Sequence, residues 1–291
     1  MLPSAVVLHE LPADGADMPE HLGAGQFLVS ALRPDRLDAV IARLDDLEVV
    51  QTMSAGVDQV AGHIPAGVTL CDGSGIHDVP IAEWVVMVTL ASLHELAGHL
   101  DAQREGLWRP RALGGGDDLE GATVLIVGHG SIGRAVEKRL QPFGAKFLRV
   151  ARRAREGVSS LDDLPSLLPQ ADVVVILVPL TERTRGLVNA GFCAAMRPGA
   201  LLVNAARGPI VDGHALNEAL RAGRIRAALD VTDPEPLPPQ DPLWSAPGLI
   251  LTPHVAGLVR RRLDRSWSLI ADQMHRFVDG TPLRNVVVDG Y

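Results

Sequence analysis

Residues 124–133 read VLIVGHGSIG, and this stretch decides the fold. Four apolar residues lead into glycines spaced G-x-G-x-x-G, and the segment RAVEKRLQPFG follows with apolar residues at helical intervals. The order strand, glycine-rich turn, helix is typical of dinucleotide-binding units. We expect Gly128 to make the tight turn, Gly130 to admit a pyrophosphate and Gly133 to let the helix pack against the strand. The alternative is a glycine turn in another kind of α/β protein.

The helix after the turn is predicted to begin near Ile132. A pyrophosphate would lie at its first turn, because the amides there have no helical partner and the helix dipole is positive. His129 and Ser131 occupy the variable positions of the motif. We interpret His129 as a residue that flanks the pyrophosphate and has no catalytic role.

The composition is that of a soluble globular protein, with 47% hydrophobic and 21% charged residues. The net charge of −8 disfavours nucleic acid and anionic membranes as partners. There is no apolar run of the ~18 residues that span a bilayer, and the N-terminus lacks a signal-peptide pattern. Cys71 and Cys193 fit no disulfide or metal spacing, so we expect a cytoplasmic location. No metal site is expected either, since His94 and His99 are five residues apart and share no helix face.

Strands that alternate with helices predict parallel sheets. Ahead of the glycine turn we predict strands over residues 5–9, 26–31, 47–53 and 68–71, and a helix over 34–44. One long helix is predicted from residue 80 to 108, as the connection between two domains. The predicted fold class is α/β, with a doubly wound Rossmann-type nucleotide domain over residues 93–265. A smaller flavodoxin-like α/β substrate domain would comprise residues 1–92 and a C-terminal return over 266–291.

Five segments carry a resemblance to a known family: VLIVGHGSIGRAV, ADVVVILVPLTERTRGLVN, MRPGALLVNAARGPIVD, AALDVTDPEPLP and LILTPHVAG. In their order and spacing they resemble the D-isomer-specific 2-hydroxyacid dehydrogenases, and the match extends from residue 54 to residue 254. Within that family the chain looks like the glyoxylate/hydroxypyruvate reductases and the phosphoglycerate-dehydrogenase-like members, although its first domain is short.

The resemblance implies three catalytic residues, each after a predicted strand. Arg207 would anchor a carboxylate and polarise a ketone through its planar guanidinium. His254 would donate a proton to the forming alkoxide. Glu235 would hydrogen-bond to this histidine and favour its protonated form. The alternatives are a surface salt bridge for Arg207 and a solvated loop acid for Glu235.

The resemblance also implies the binding residues. Backbone amides of Ser54, Ala55, Gly56 and Val57 would bind the substrate carboxylate together with Arg207, with a plain turn as the alternative. Asp230 would lie near the nicotinamide carboxamide in a positioning role. The full set implied for the cofactor is Gly128, His129, Gly130, Ser131, Ile132, Gly133, Arg152, Arg153, Val178, Pro179, Thr184, Ala205, Ala206, Asp230 and Gly257.

The strand that follows the glycine turn predicts which nicotinamide cofactor binds. NAD-binding units carry an acid at the end of this strand, which bonds the ribose 2′-hydroxyl. Here the strand KFLRVA ends in Ala151, and Arg152, Arg153 and Arg155 follow. Guanidinium groups bind a 2′-phosphate, which a carboxylate would repel. We therefore predict that NADP(H) is preferred and that NAD(H) remains possible; the alternative is a solvated basic loop with Glu156 as a displaced acid.

The predicted activity is hydride transfer between NADP(H) and a small 2-keto or 2-hydroxy acid of the glyoxylate/hydroxypyruvate type, specific for the D isomer. The resemblance implies a homodimer formed through the helix from residue 80. Two alternatives stay open: a sister dehydrogenase acting on phosphite or formate, and a nucleotide-sensing binding protein on the same fold. The T-P-H sequence around His254 disfavours the formate type, for which the resemblance predicts Q-P-H.

Overall fold

The computed structural model describes residues 2–12, 19–108 and 116–288, which form two compact units. Unit 1 comprises Met1–His77 and Val259–Tyr291, and unit 2 comprises Asp78–Leu258. The division differs from the predicted boundaries at both ends. Residues 78–92 belong to unit 2 rather than to the N-terminal domain, and residues 259–265 belong to unit 1.

The strands are, in chain order, β1 (Phe27–Ser30), β2 (Val49–Thr52), β3 (Thr69–Cys71), β4 (Thr123–Val127), β5 (Lys146–Val150), β6 (Val173–Ile176), β7 (Leu201–Asn204), β8 (Arg226–Leu229) and β9 (Leu249–Leu251). The α-helices are α1 (Pro34–Ile41), α2 (Asp78–Leu93), α3 (Leu96–Arg104), α4 (Ser131–Leu140), α5 (Leu164–Leu167), α6 (Ala190–Ala195), α7 (Gly213–Arg221) and α8 (Arg262–Val278). Short 3-10 helices lie between several of these elements.

Unit 1 is built on a parallel sheet in the order β1-β2-β3. The C-terminal segment closes it, because the amide of Val287 donates to the carbonyl oxygen of Leu70 at 2.9 Å. A buried pair of amide side chains links α8 to β2: Gln273 Nε2 donates to Gln51 Oε1 at 2.7 Å. Both glutamines are fully buried. Since a buried amide without a partner costs about 1–3 kcal/mol, this pair makes the return of the chain specific.

The strand predicted over residues 5–9 is wrong. The segment is irregular, and Val7 and Leu8 are exposed. An apolar run forms a stable strand only when it pairs with a neighbour and buries a face, and no described strand pairs with this segment. The other strands predicted ahead of the glycine turn are confirmed with slightly shorter bounds.

Unit 2 is a six-stranded parallel sheet that is covered on both faces. Every residue of β6 and β7 is buried, as is usual for parallel strands that helices cover on both faces. Successive side chains point to opposite faces, so Val174 and Ile176 pack on one side with α7, while Val173 and Val175 pack on the other with α2 and α4. Each such side chain contributes about 1.5–3 kcal/mol through burial. The α/β fold class is confirmed.

The strand order β5-β4-β6-β7-β8-β9 places a crossover beside β4. The chain leaves β4 towards β5 and then crosses to β6 on the other side. An isolated parallel bridge between Val150 and Ser159 extends the sheet beyond β5. When that bridge is counted as a strand, the order is that of the doubly wound dinucleotide fold. Ligands bind such sheets where the strand order reverses, which here is the carboxyl end of β4.

The single helix predicted from residue 80 to 108 is instead two helices, α2 and α3, which meet at a 67° bend. Glu95 sits at the bend with a left-handed φ of 53°. The last carbonyls of α2 bond to residues distant in sequence: Ser92 O accepts from Arg226 Nη1, and Leu93 O accepts from the amide of Asp117, both at 2.9 Å. α2 is therefore part of the unit 2 core, with its Val85 and Val88 buried.

No single described helix is long and apolar enough to cross a membrane; only α2 and α3 taken together across their bend pass that test of length and composition. Cys71 and Cys193 are buried free thiols. Burial raises the pKa of each to about 11, so both remain protonated near neutral pH. Among the described residues no group of three or more His, Cys, Asp and Glu side chains is placed to hold a metal ion.

Candidate active site

The glycine turn follows β4, and its geometry fits the three predicted roles. Gly128 has a φ of 112°, and a Cβ there would lie 2.4 Å from the carbonyl carbon of Leu177. A Cβ on Gly133 would lie 2.5 Å from the carbonyl oxygen of Gly128, so α4 packs directly on the turn. At Gly130 a Cβ would meet none of the described protein within 4 Å. The space beside Gly130 is thus open to a ligand.

The N-terminus of α4 suits a bound pyrophosphate. Gly130 caps the helix without a side-chain hydrogen bond, and the amides of a first helical turn have no partner within the helix. The amides of Ser131 and Ile132 can therefore bind an anion. The hydroxyl of Ser131 donates to Asp78 Oδ1 at 3.1 Å, which fixes the side chain beside the turn.

The remaining predicted cofactor residues of unit 2 lie at the carboxyl ends of its strands. Val178 and Pro179 follow β6, and Ala205 and Ala206 follow β7. Thr184 is buried, and its hydroxyl both donates to Pro179 O and accepts from the amide of Thr181. Thr184 thus shapes the loop after β6. Gly257 follows the segment that carries His254, as described below.

β5 ends without an acidic residue. Ala151 follows its last residue, and Arg152 and Arg153 come next with exposed side chains. Arg155 is also exposed, and its guanidinium reaches back to the glycine turn. Ala151 therefore stands where a carboxylate would select a 2′-hydroxyl, and three arginines follow it.

Arg207 is half-buried in a turn after β7 that the buried Asn204 holds in shape. The Asn204 side chain accepts from the amide of Ala206 and donates to the carbonyl oxygen of Arg207, both at 3.0 Å. Arg207 Nη1 also donates to Ala206 O at 2.8 Å. The turn thereby fixes the backbone from which the guanidinium extends.

Gly208, which we did not single out from the sequence, joins this turn to the next strand end. A Cβ on Gly208 would lie 1.8 Å from the carbonyl oxygen of Thr232. Only glycine permits that approach of two backbones. The segment with Arg207 and the segment that leads to Glu235 are thus in direct backbone contact. Nothing in the local sequence signals this contact, since the two residues are distant in the chain.

His254 and Glu235 form a hydrogen-bonded pair. His254 Nδ1 lies 2.8 Å from Glu235 Oε2, and Glu235 Oε1 accepts from the amide of Thr232 at 3.1 Å. An ionised carboxylate only accepts, so Nδ1 carries the proton and Nε2 is left for a substrate. The imidazole is 53% exposed, which allows a small molecule to reach Nε2. His254 adopts a left-handed φ of 55°, a strained conformation typical of functional positions.

Asp230 holds the loop that carries His254. It is buried, and it accepts from the Thr252 hydroxyl, from the amide of Val255 at 2.9 Å and from the amide of Ala256 at 2.9 Å. Its carbonyl oxygen accepts from the amide of His254 at 2.7 Å. The Asp230 carboxylate thus organises the loop after β9. Its predicted place near the nicotinamide carboxamide stays a prediction.

Asp230→Asn is expected to destabilise unit 2 by about 1–3 kcal/mol, because the amide group turns one acceptor into a donor that faces other donors. Turnover should fall with it, since His254 is displaced. Urea denaturation and steady-state kinetics measure the two effects. Thr252→Val is the matched control: it removes only the hydroxyl donor and should cost about 0.5–1.5 kcal/mol. Equal stability of Asp230→Asn and the wild type would contradict this role.

The predicted substrate loop follows β2 in unit 1. Its base is rigid, because Ser54 O accepts from the Thr52 hydroxyl at 2.7 Å and from the amide of Gly73 at 2.8 Å. His77 Nε2 lies 3.1 Å from Met53 O and supports the same loop.

One of the four predicted amides is engaged within the loop. The amide of Gly56 donates to Ser54 Oγ at 3.2 Å. Val57 is fully buried, and its carbonyl oxygen starts the next turn by accepting from Val60 and Ala61. Ala55 lies between these contacts at the tip of the loop. In this structure, then, Gly56 would have to exchange its hydrogen bond to bind a substrate carboxylate.

Residues 86–256 match the family described as D-isomer specific 2-hydroxyacid dehydrogenase, NAD binding domain. A glyoxylate reductase of Thermofilum pendens is 35% identical over 265 residues, which cover 86% of this chain and 77% of that protein. A solved D-isomer specific 2-hydroxyacid dehydrogenase of Xanthobacter autotrophicus Py2, in complex with NADPH and MES, shares 31% identity with a TM-score of 0.84; the alignment covers 97% of this chain and 90% of that one. A D-3-phosphoglycerate dehydrogenase of Archaeoglobus fulgidus is 31% identical over 87% of this chain, which spans about half (49%) of that protein.

Proposed function

The chain belongs to the D-isomer-specific 2-hydroxyacid dehydrogenase family, and we propose that it reduces a small 2-keto acid of the glyoxylate/hydroxypyruvate type to the D-2-hydroxy acid with NADPH. The observation that carries this proposal is the His254–Glu235 pair at 2.8 Å. Arg207, Glu235 and His254 follow β7, β8 and β9, which are three consecutive strands of the sheet. These three side chains supply a proton donor, its partner and a cation.

In the proposed mechanism His254 is the general acid. Glu235 stabilises the imidazolium and fixes the ring so that Nε2–H faces the substrate. As the ketone becomes an alkoxide, its oxygen takes the proton from Nε2, and the neutral imidazole keeps its hydrogen bond to Glu235. The bound nicotinamide cofactor supplies the hydride for this reduction.

Arg207 and the loop at residues 54–57 hold the substrate in this proposal. The guanidinium of Arg207 can bond to the substrate carboxylate and polarise the ketone oxygen, which accumulates negative charge during the reaction. Backbone amides of the loop supply further donors to the carboxylate. The rigid base of the loop supports this role, because fixed donors lose little entropy when a substrate binds.

The preference for NADP(H) over NAD(H) rests on the end of β5. Ala151 stands where a carboxylate would bond the ribose 2′-hydroxyl, and Arg152, Arg153 and Arg155 follow. A guanidinium binds a phosphate by charge and by paired hydrogen bonds. The NADPH named with the Xanthobacter structure is consistent with such a site in this family.

A spectrophotometric assay of NADPH oxidation tests the proposal. Glyoxylate and hydroxypyruvate are expected to be turned over, larger 2-keto acids less well, and NADPH should give a higher kcat/KM than NADH. Formate and phosphite, offered with NADP+ or NAD+, should give no reduction.

Each other outcome rejects part of this assignment. Equal or better efficiency with NADH would refute the cofactor preference. Turnover of formate or phosphite would identify a sister dehydrogenase. Tight cofactor binding without turnover of any 2-keto acid would favour the nucleotide-sensing protein.

We also propose a homodimer formed through residues 80–108, the segment predicted as one helix, which contains α3 and most of α2. Supporting this proposal, Met87, Leu96, Leu100 and Trp108 are exposed apolar residues of this segment, and a dimer formed here would remove them from water. Leu100→Glu is expected to shift the protein from dimer to monomer in sedimentation experiments. Val7→Glu, at an exposed apolar position of unit 1, is the matched control. A monomeric wild type would exclude this arrangement.

A cytoplasmic location is proposed as well. Its support is that Cys71 and Cys193 are buried free thiols rather than a disulfide, as is usual for proteins of reducing compartments. Cell fractionation of the native host tests this location, and recovery of the protein outside the cytoplasm would contradict it.

A further inference from the structure

A side-chain network that the proposed mechanism does not use links the glycine turn to the loop after β5. The two segments are already joined through the backbone. The amides of Gly128 and His129 both donate to the carbonyl oxygen of Val150, each at 2.9 Å. The backbone of the turn is therefore held beside the end of β5.

The loop after β5 is itself fixed. The amide of Ala151 donates to Ser159 O at 3.0 Å, which ties both ends of the loop together. Inside it, Arg155 and Val158 exchange backbone hydrogen bonds of 2.9 and 2.8 Å. The backbone from which the Arg155 side chain extends thus has one defined conformation.

The guanidinium of Arg155 lies against His129. Nη2 donates to the carbonyl oxygen of His129 at 3.1 Å and lies 3.5 Å from its Nδ1. The imidazole is only 10% exposed, and its Nε2 is 2.7 Å from Glu137 Oε2. A guanidinium only donates, so Nδ1 accepts and Nε2 carries the proton. In this arrangement the ring accepts from Arg155 and donates to Glu137.

Glu137 keeps the ring in that position. Arg149 Nε donates to Glu137 Oε2 at 2.8 Å, and Arg149 Nη2 donates to Oε1. The hydrogen bonds from Arg149, and secondarily that from His129, lower the pKa of the Glu137 carboxyl and outweigh its desolvation. The carboxylate stays ionised, and Arg149 balances its charge. The positive charge of Arg155 is left for a ligand.

We propose that His129 is a positioning residue for the 2′-phosphate of NADP(H), and that it acts through Arg155. The proposal rests on the NADP(H) preference proposed above. Nη2 of Arg155 is held by His129, whereas its Nε and Nη1 donors have no partner among the described residues. Because the guanidinium is held before the ligand arrives, a phosphate that bonds to one of these two donors loses little additional ordering entropy.

Calorimetry with two cofactor fragments tests this role without turnover. Adenosine 2′,5′-bisphosphate carries the 2′-phosphate, and adenosine 5′-monophosphate lacks it. Arg155→Ala should weaken the bisphosphate about 10-fold or more, as expected for a charged hydrogen bond, and His129→Leu should weaken it about 5-fold. Both variants should bind the monophosphate like the wild type.

The double variant decides whether His129 acts through Arg155. Combined with Arg155→Ala, His129→Leu should add no further loss, because its target is already gone. Arg139→Ala is the matched control, since this guanidinium on α4 also donates to a backbone carbonyl, that of Ala135 at 3.1 Å. It should change neither affinity.

The possible failures are distinguishable. A wild type that binds both fragments equally would reject the NADP(H) preference itself, and this proposal with it. A wild type that prefers the bisphosphate, with His129→Leu leaving that preference unchanged, would overturn the role of His129 alone. So would a His129→Leu variant that weakens both fragments equally, or one whose loss adds fully to that of Arg155→Ala.

Discussion

His254→Ala is expected to lower kcat for keto-acid reduction by about 10²- to 10⁴-fold, the usual contribution of a positioned general acid. The affinity for NADPH should stay within about twofold of the wild type, because the side chain is held by Glu235 and none of its contacts belongs to the glycine turn. Steady-state kinetics and fluorescence titration with NADPH measure the two quantities separately.

The chain offers a matched control for this experiment. His214 on α7 also faces a carboxylate, with Nδ1 3.8 Å from Glu218 Oε2, but its side chain is 83% exposed and the proposed mechanism gives it no role. His214→Ala should leave turnover unchanged. The turnover of Glu235→Gln should lie between those of His254→Ala and His214→Ala. This variant leaves the imidazole in place but removes the charge that favours its protonation. Near-normal turnover of His254→Ala would remove this residue from the acid role.

The second large effect is expected from Gly208→Ala. An alanine Cβ would lie 1.8 Å from the carbonyl oxygen of Thr232, so the turns after β7 and β8 must separate. Overpacking of this kind costs about 3 kcal/mol or more when backbone rather than a flexible side chain must move. Arg207 and Glu235 extend from these two segments, so activity should be lost even at temperatures where the variant stays folded. Thermal denaturation and an activity assay in the folded range test both statements.

Gly213→Ala serves as the control for this variant. Gly213 is the first residue of α7, and a Cβ there would lie 3.9 Å from a methyl group of Leu243, which is an ordinary contact. Because alanine has a higher helix propensity than glycine, this variant should be as stable as the wild type or slightly more stable. If Gly208→Ala behaved in the same way, the close approach of the two backbones would not be required.

What the sequence could predict here is largely local. The structural roles of Gly128 and Gly133 can be predicted because the strand, the turn and the helix that define them are consecutive in the sequence. The family resemblance indicated the roles of Arg207 and His254. The strands that end just before them placed both at one edge of the sheet, where parallel strands present their carboxyl ends. The sequence pattern alone left the Glu235 role undecided, and only the family resemblance indicated it.

The features that were missed depend on contacts between distant residues. The bend at Glu95 is stabilised by Asp117 and Arg226, which bond to the end of α2. Helical periodicity does not reveal these contacts, so it predicts one continuous helix. Glycine is required at position 208 because the carbonyl oxygen of Thr232 lies against it. The two residues become neighbours only after β7 and β8 pair. The apolar run at residues 5–9 has strand character but no partner. In each case tertiary context decided what local propensity could not.

The way the C-terminal segment closes unit 1 has a consequence for the order in which the protein folds during synthesis. Unit 2 is one continuous stretch, whereas unit 1 needs α8 and the strand-like contact of Val286 with Cys71. A ribosome that has translated residue 258 has supplied all of unit 2 but only part of unit 1. We expect a chain stopped there to contain a protease-resistant unit 2 and a digestible N-terminal segment. Residues 1–77 would then become native only after unit 2, contrary to the usual N-terminal-first order.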